Sequence, residues 1–291
     1  MAKASLFALM GAAMPSTVSA AEWNYTLPLP AAVPRLDLRG TINDGLLEAL
    51  PMRTNYTIEP WGYGWIPKDC KREIEAQDYK SVDVEVFNVF GRMPLDMREF
   101  VSEVILLPSF VYEESVAHTS SEGSITFQDD GLFQTVMAHE MSHQLDWYGQ
   151  ADITGGGGAG APFSNSKIWQ DNYNLDTACV TDYARTKWSE DFAESGAMGL
   201  YDRLVPGGLR AAYPSTDGAY HQLHTFETYM ESYIAPKPKS TCTHRRSNGE
   251  AVPLTESMRA LGKKPDTSFA SFADVEVLPR PEESFTLCYP L

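Results

Sequence analysis

Beyond its first twenty residues the chain has no run approaching the roughly 18 uninterrupted apolar residues that a membrane-spanning helix needs, which excludes an integral helical membrane protein. Cations are scarce as well. Twenty-three Lys and Arg stand against 39 Asp and Glu, a net charge of −16. Nucleic acid and anionic membrane both require a cationic face, so neither is expected as a partner. The four cysteines include no C-x-x-C pair, so a cysteine-ligated metal knuckle is not expected. The glycine-rich run Thr154–Pro162 (TGGGGAGAP) is followed by no Lys-Ser/Thr and is not a phosphate loop. It reads as an active-site loop or a connector. Hydrophobic and charged fractions of 43% and 21% exclude wholesale disorder and leave room for one large domain or two smaller ones.

What is present begins with an export signal. Lys3 supplies the charged start, Leu6 to Met14 a short apolar run, and Val18-Ser19-Ala20 a small-residue cleavage site, so residues 1–20 read as a signal peptide. The expectation is a soluble, extracellular product. The sequons at Asn24 and Asn55 (N-Y-T in both) suit a glycoprotein on that route. An even count of Cys70, Cys179, Cys242 and Cys288 suits an oxidising compartment and two disulfides, with three connectivities open. Pairing of Cys242 with Cys288 would pin residues 241–291 as a tail behind a catalytic domain over 21–240.

Hydrophobic periodicity predicts a short helix over 43–50, a solvated helix between Cys70 and Lys80, and a strand over 81–90, where Val82, Val84 and Val86 alternate with charge. A short helix over 97–103 and strands over 104–107 and 124–128 follow. Strands leading into a long helix make the expected class α+β, a mixed sheet packed on that helix. An edge strand beside it, 124–128 or a neighbour, would suit an extended peptide. The helix itself is expected over 131–147, capped by Asp129 or Asp130. Its apolar stripe is Phe133, Met137, Met141, Leu145 and Tyr148. Thr135, His139, His143 and Asp146 lie on another face, expected at a surface or cleft.

That second face carries the chemistry. His139-Glu140-Met141-Ser142-His143 is an H-E-x-x-H run, in which residues four apart on a helix aim two imidazoles at one Zn²⁺. Glu140 is offset by one residue, where its carboxylate can meet a water instead of the metal. The third ligand cannot follow the metzincin pattern, because Asp146 and Gly149 occupy the positions that would hold Gly and His. A second helix over 188–198 offers Glu190 and Glu194 four apart, with Ala193 and Ala197 small enough for close approach. Glu190 would ligate, and Glu194 would hold a ligating histidine. The plainer alternative is an exposed acidic turn.

Taken together, His139 to Asp146, Tyr183 and Glu190-Asp191-Phe192-Ala193-Glu194 resemble the catalytic domain of the anthrax lethal factor family, zinc metallopeptidases of the gluzincin type. The pattern also looks like secreted fungal proteins of the conidiation-specific, lethal-factor-like group. The resemblance covers about residues 127–198. It implies a zincin-like domain with one zinc on His139, His143 and Glu190, Glu140 as general base, Tyr183 at the oxyanion, and Glu194 and Asp146 in supporting places. Ser142 stands where the family often has Gly. A peptide or protein is the implied substrate. The rival expectations are a zinc-stabilised binding protein without turnover and a zinc hydrolase of non-peptide amides. No feature indicates an oligomeric state. Downstream, residues 200–214 read as a loop and 219–234 as a helix whose His221 and His224 are surface histidines or spare ligands.

Overall fold

The computed structural model describes residues 26–27, 31–34, 36–50, 84–107, 116–128, 131–155, 158 and 160–235, with four short strands at 57–58, 63–65, 73–76 and 285–287. The expected signal peptide, both sequons, Cys70, Cys242 and Cys288 lie outside these residues. The Asp37 carboxylate accepts from the backbone N–H groups of Gly40 (3.0 Å) and Thr41 (3.1 Å), turning the chain into helix α1 (Asn43–Ala49). Strands β1 (Thr57–Ile58), β2 (Tyr63–Trp65) and β3 (Glu73–Ala76) form an antiparallel meander. The helix expected between Cys70 and Lys80 is therefore corrected to a strand: main-chain pairing on both sides of β3 overrides the local charge run.

Helix α2 (Val84–Arg92) replaces the strand expected over 81–90. Val86, Val89, Phe90 and Met93 are all buried, a spacing of three, four and seven that fits one helix face, and the slip in alternation at Phe87 was its trace. Arg98, in the short helix α3 (Leu95–Arg98), is buried and donates from Nε to the Met93 carbonyl at 2.8 Å and from Nη2 to that of Gly91 at 2.5 Å. It thereby satisfies carbonyls at the end of α2. The helix expected to reach Glu103 ends early, because Glu103 opens β4 (Glu103–Leu107).

β5 (Ala117–Ser120) and β6 (Ser124–Gln128) follow as a hairpin turned at Gly123, whose φ of +96° suits glycine. The sheet order is β1-β2-β3-β4-β6-β5-β7, where β7 is Phe285–Leu287; β3, β4 and β6 run parallel and the other pairs antiparallel. β6 is thus an interior strand, not the edge expected of 124–128. β5, its antiparallel neighbour, carries β7 on its other side.

Helix α4 (Gln134–Tyr148) lies on this sheet. Gln144 Nε2 donates to Thr119 Oγ1 at 2.8 Å and to the Ser120 carbonyl at 2.7 Å, tying it to β5. Asp129 and Asp130, the caps expected for it, lie outside the described residues. Phe133 occupies the cap position without a side-chain bond, and Asn43 of α1 accepts from the Gln134 N–H at 2.7 Å. A distant asparagine performs the local capping role. All residues from Gln134 to Trp147 are buried, so the histidine face is not at the surface. The helix is covered on every side because the sheet takes one face and a second long helix another.

After α5 (Ala151–Thr154), α6 (Lys167–Tyr173) leads to that partner, α7 (Trp188–Leu204). The loop expected over 200–214 is largely helical: α7 continues to Leu204 and α8 spans Gly208–Ala212. Helix α9 (Tyr220–Ile234) packs on α7 through Phe226, which meets Phe192 edge-on at 5.2 Å. The class is mixed α and β, predominantly helical.

The α4–α7 crossing depends on small residues. A Cβ placed on Gly196 would stand 2.5 Å from Ser142 Cβ and 3.1 Å from Phe226. Gly196→Ala should therefore force the helices apart and lower stability by roughly 1–3 kcal/mol, read as a lower urea midpoint. Adding Ser142→Gly should recover part of that loss, and strict additivity of the two losses would contradict this account of the crossing.

Candidate metal centre

The centre is built from two helix turns facing each other. On α4, His139 and His143 are one turn apart, and their rings meet edge to face with centroids 4.9 Å apart. On α7, Glu190 and Glu194 are likewise one turn apart. All four residues and Glu140 are fully buried. His139 Nε2 lies 3.1 Å from Glu190 Oε2 and 3.2 Å from His143 Nε2, and His143 Nε2 lies 3.3 Å from the same oxygen. One atom from each of His139, His143 and Glu190 therefore faces a common point, and these three residues could hold a metal ion. The exposed acidic turn, the plainer reading of Glu190 and Glu194, is corrected: both carboxyl groups are interior because α7 packs that face on α4.

The other nitrogen of His139, Nδ1, is 2.7 Å from Glu194 Oε1. That contact fixes the ring and directs Nε2 toward the common point. Burial alone would lower the pKa of His139. The carboxyl groups of Glu190, Glu194 and Glu140 outweigh it and push the imidazole up to about 10. Burial lowers His143 instead. Burial also opposes ionisation of Glu190, but the His143 and His139 rings and the Lys187 ammonium hold its carboxyl well below the ordinary range.

Tyr183 opens a 3-10 turn (Tyr183–Arg185) ahead of α7, and its half-buried ring lies 6.0 Å, centroid to centroid, from that of His139. The turn is held by the leading segment of the chain. Ala32 bridges Cys179 in parallel, the Val33 N–H donates to the Cys179 carbonyl at 2.8 Å, and the Leu27 N–H donates to the Arg185 carbonyl at 3.3 Å. Leu27 and residues 31–33 thus bond to the segment that presents Tyr183.

Asp146 does not bond to a ligand. Its Oδ1 accepts from the Ser164 N–H at 2.6 Å and its Oδ2 from Ser164 Oγ at 2.7 Å, which ties α4 to the buried turn Phe163–Asn165. Its supporting contact is therefore with a neighbouring turn. Cys179 is buried, its Sγ donates to the Thr181 carbonyl at 3.1 Å, and burial pushes the thiol up to about 12; the cysteines expected to pair with it lie outside the described residues. His221 and His224 are on α9, away from the centre. His221 Nδ1 is 2.8 Å from Asp176, and the His224 ring stacks on Tyr220.

Three neighbours escaped the sequence reading. Lys187 Nζ is 3.0 Å from Glu190 Oε1. Trp147 stacks on His143 at 5.9 Å. Asp191, buried and pushed well above the ordinary carboxyl range by that burial, accepts from Trp169 Nε1 at 2.9 Å. The first two were legible as helical spacing, Lys187 three residues before Glu190 and Trp147 four after His143.

The profile of the conidiation-specific protein Con-13 family matches residues 88–277, more than half of the chain and every residue of the centre, and the chain belongs to that family. Conidiation-specific protein 13 of Neurospora crassa is similar, 27% identical over 191 residues that cover 56% of this chain and 53% of that protein. The chain spans about half the length of the curated relative it matches.

Burial pushes Asp146 up to about 7 from 3.8, against the pull of its two Ser164 bonds. A carboxyl raised in the folded state keeps a proton that the unfolded chain releases, so its contribution to stability falls as pH rises from about 4 to about 7. Three pKa units at about 1.4 kcal/mol each put the loss on the order of a few kcal/mol. Asp146→Asn can still accept from the Ser164 N–H while the hydroxyl reorients. Thermal unfolding of wild type and variant at pH 4 and pH 7 should show a smaller fall in the variant, and equal falls would contradict the assignment.

Proposed function

We propose that this Con-13 family member is a secreted zinc-dependent metallopeptidase of the gluzincin type, with a zincin-like core related to the lethal factor family. His139, His143 and Glu190 would hold one zinc per chain. The carrying observation is the triangle of ligand atoms. Four-coordinate zinc with bonds of about 2.0–2.1 Å sets neighbouring ligand atoms roughly 3.3 Å apart, and the edges here are 3.1, 3.2 and 3.3 Å. A proton bridges one pair of atoms, whereas a cation engages all three. Two imidazoles and a carboxylate are also a donor set that suits zinc.

Zinc bound there would supply Lewis acidity and lower the pKa of a water to about 7. The protein's own groups divide the remaining work. Glu140, next to His139 on α4, accepts the proton of the attacking water and delivers it to the leaving amine. Tyr183 donates its phenol proton to the carbonyl oxygen as that oxygen gains charge. Glu194 holds His139 in the tautomer that leaves Nε2 free to ligate. The substrate is a peptide or protein, without nucleic acid or membrane. Export is supported by the character of residues 1–20 and by the sequons at Asn24 and Asn55.

One observation favours a second reading. The five central side chains are fully buried, as in a site that holds zinc to stabilise a binding protein. A structural site has no use for Glu140 as a base. Zinc content and hydrolysis of a denatured protein should be measured for wild type and Glu140→Gln. The peptidase reading expects zinc in both and a loss of about 10²–10⁴-fold in the variant. Equal rates with zinc bound would leave the second reading standing.

A further inference from the structure

We infer that Lys187 is a positioning residue for this centre: its ammonium holds the second oxygen of Glu190 away from the metal position and completes the charge balance of the buried cluster. The inference rests on the metal reading above.

The two oxygens of Glu190 have separate partners. Oε2 is 3.1 Å from His139 Nε2 and 3.3 Å from His143 Nε2, while Oε1 is 3.0 Å from Lys187 Nζ. A carboxylate can ligate zinc through one oxygen or two. Binding through two would occupy room that a water and a substrate carbonyl both need. The Lys187 contact is an ion pair without the alignment of a directed hydrogen bond, which suits a compact point charge. It favours ligation through Oε2 alone.

The charge balance points the same way. Fully ionised, Glu140, Glu190 and Glu194 carry three negative charges in a buried volume, and a divalent ion compensates two. Lys187 supplies the third, and uncompensated buried charge is strongly unfavourable. The backbone sets this lysine in place. Lys187 is the extended residue at the start of α7, and its carbonyl accepts from the N–H groups of Glu190 (3.1 Å) and Asp191 (3.0 Å). Its side chain is 45% exposed, so the ammonium lies at the rim while its partner Glu190 lies inside.

The test compares full-length wild type with Lys187→Met and Lys187→Arg by zinc-edge X-ray absorption, zinc affinity in chelator competition, and kcat and KM on a peptide. Lys187→Met should keep its zinc with equal or tighter affinity, because a positive charge near the ion has been removed. It should also gain one oxygen neighbour at the metal and lose about 10–100-fold in kcat with KM little changed. Lys187→Arg should restore the coordination number and most of the turnover. An unchanged coordination number in Lys187→Met would overturn the inference. So would zinc affinity and activity falling together without rescue by Arg, the pattern of a lysine that merely supports the helix start. Absence of zinc from wild type would bring down the metal reading and this inference together. Zinc in wild type with no change in Lys187→Met would bring down the inference alone. The coordination readout holds whether or not hydrolysis is found.

Discussion

The structure depends on keeping three carboxyl groups and two imidazoles dry in one place. Glu140, Glu190, Glu194, His139 and His143 have no exposure to solvent, and groups of this kind are buried only where their charges are matched and their hydrogen bonds made. The 2.7 Å contact between His139 and Glu194 and the ion pair of Glu190 with Lys187 meet part of that demand. What remains is a triangle of one oxygen and two nitrogens whose shape and net charge suit a divalent ion.

Much of the fold serves that cluster. Gly196 allows α7 to approach α4 at Ser142, so the turns bearing His139 and Glu190 meet at hydrogen-bond distance. Asn43 caps α4 from α1, Gln144 ties it to β5, and Asp146 anchors its far end to the turn at Ser164. Leu27 and residues 31–33, bonded to Arg185 and Cys179, steady the stretch that carries Tyr183 and ends at Lys187. Preorganisation of this kind is costly in conformational entropy. It is the condition for a site whose ligands need no rearrangement to meet a metal.

The cluster was legible in the sequence because helical periodicity is local. Two residues four apart share a face wherever the helix sits, so His139 with His143 and Glu190 with Glu194 could be paired before any tertiary contact was known. Features set by distant partners were not legible. Asn43, 91 residues upstream of Gln134, accepts from the first N–H of α4, a partner that no local spacing announces. The valines of 81–90 suit a strand by propensity, yet Val86, Val89, Phe90 and Met93 bury one helical face. Burial of the histidine face was hidden for the same reason: a polar face reads as solvated until the helix that covers it is seen.

The central claim is that His139, His143 and Glu190 form a zinc site, and it is tested most directly by anomalous diffraction above and below the zinc edge on crystals of the full-length protein. The account predicts a single peak about 2.0–2.2 Å from His139 Nε2, His143 Nε2 and Glu190 Oε2, with Glu194 remaining on His139 Nδ1. A zinc-replete crystal without that peak, or a peak ligated by Glu194 in place of Glu190, would contradict it.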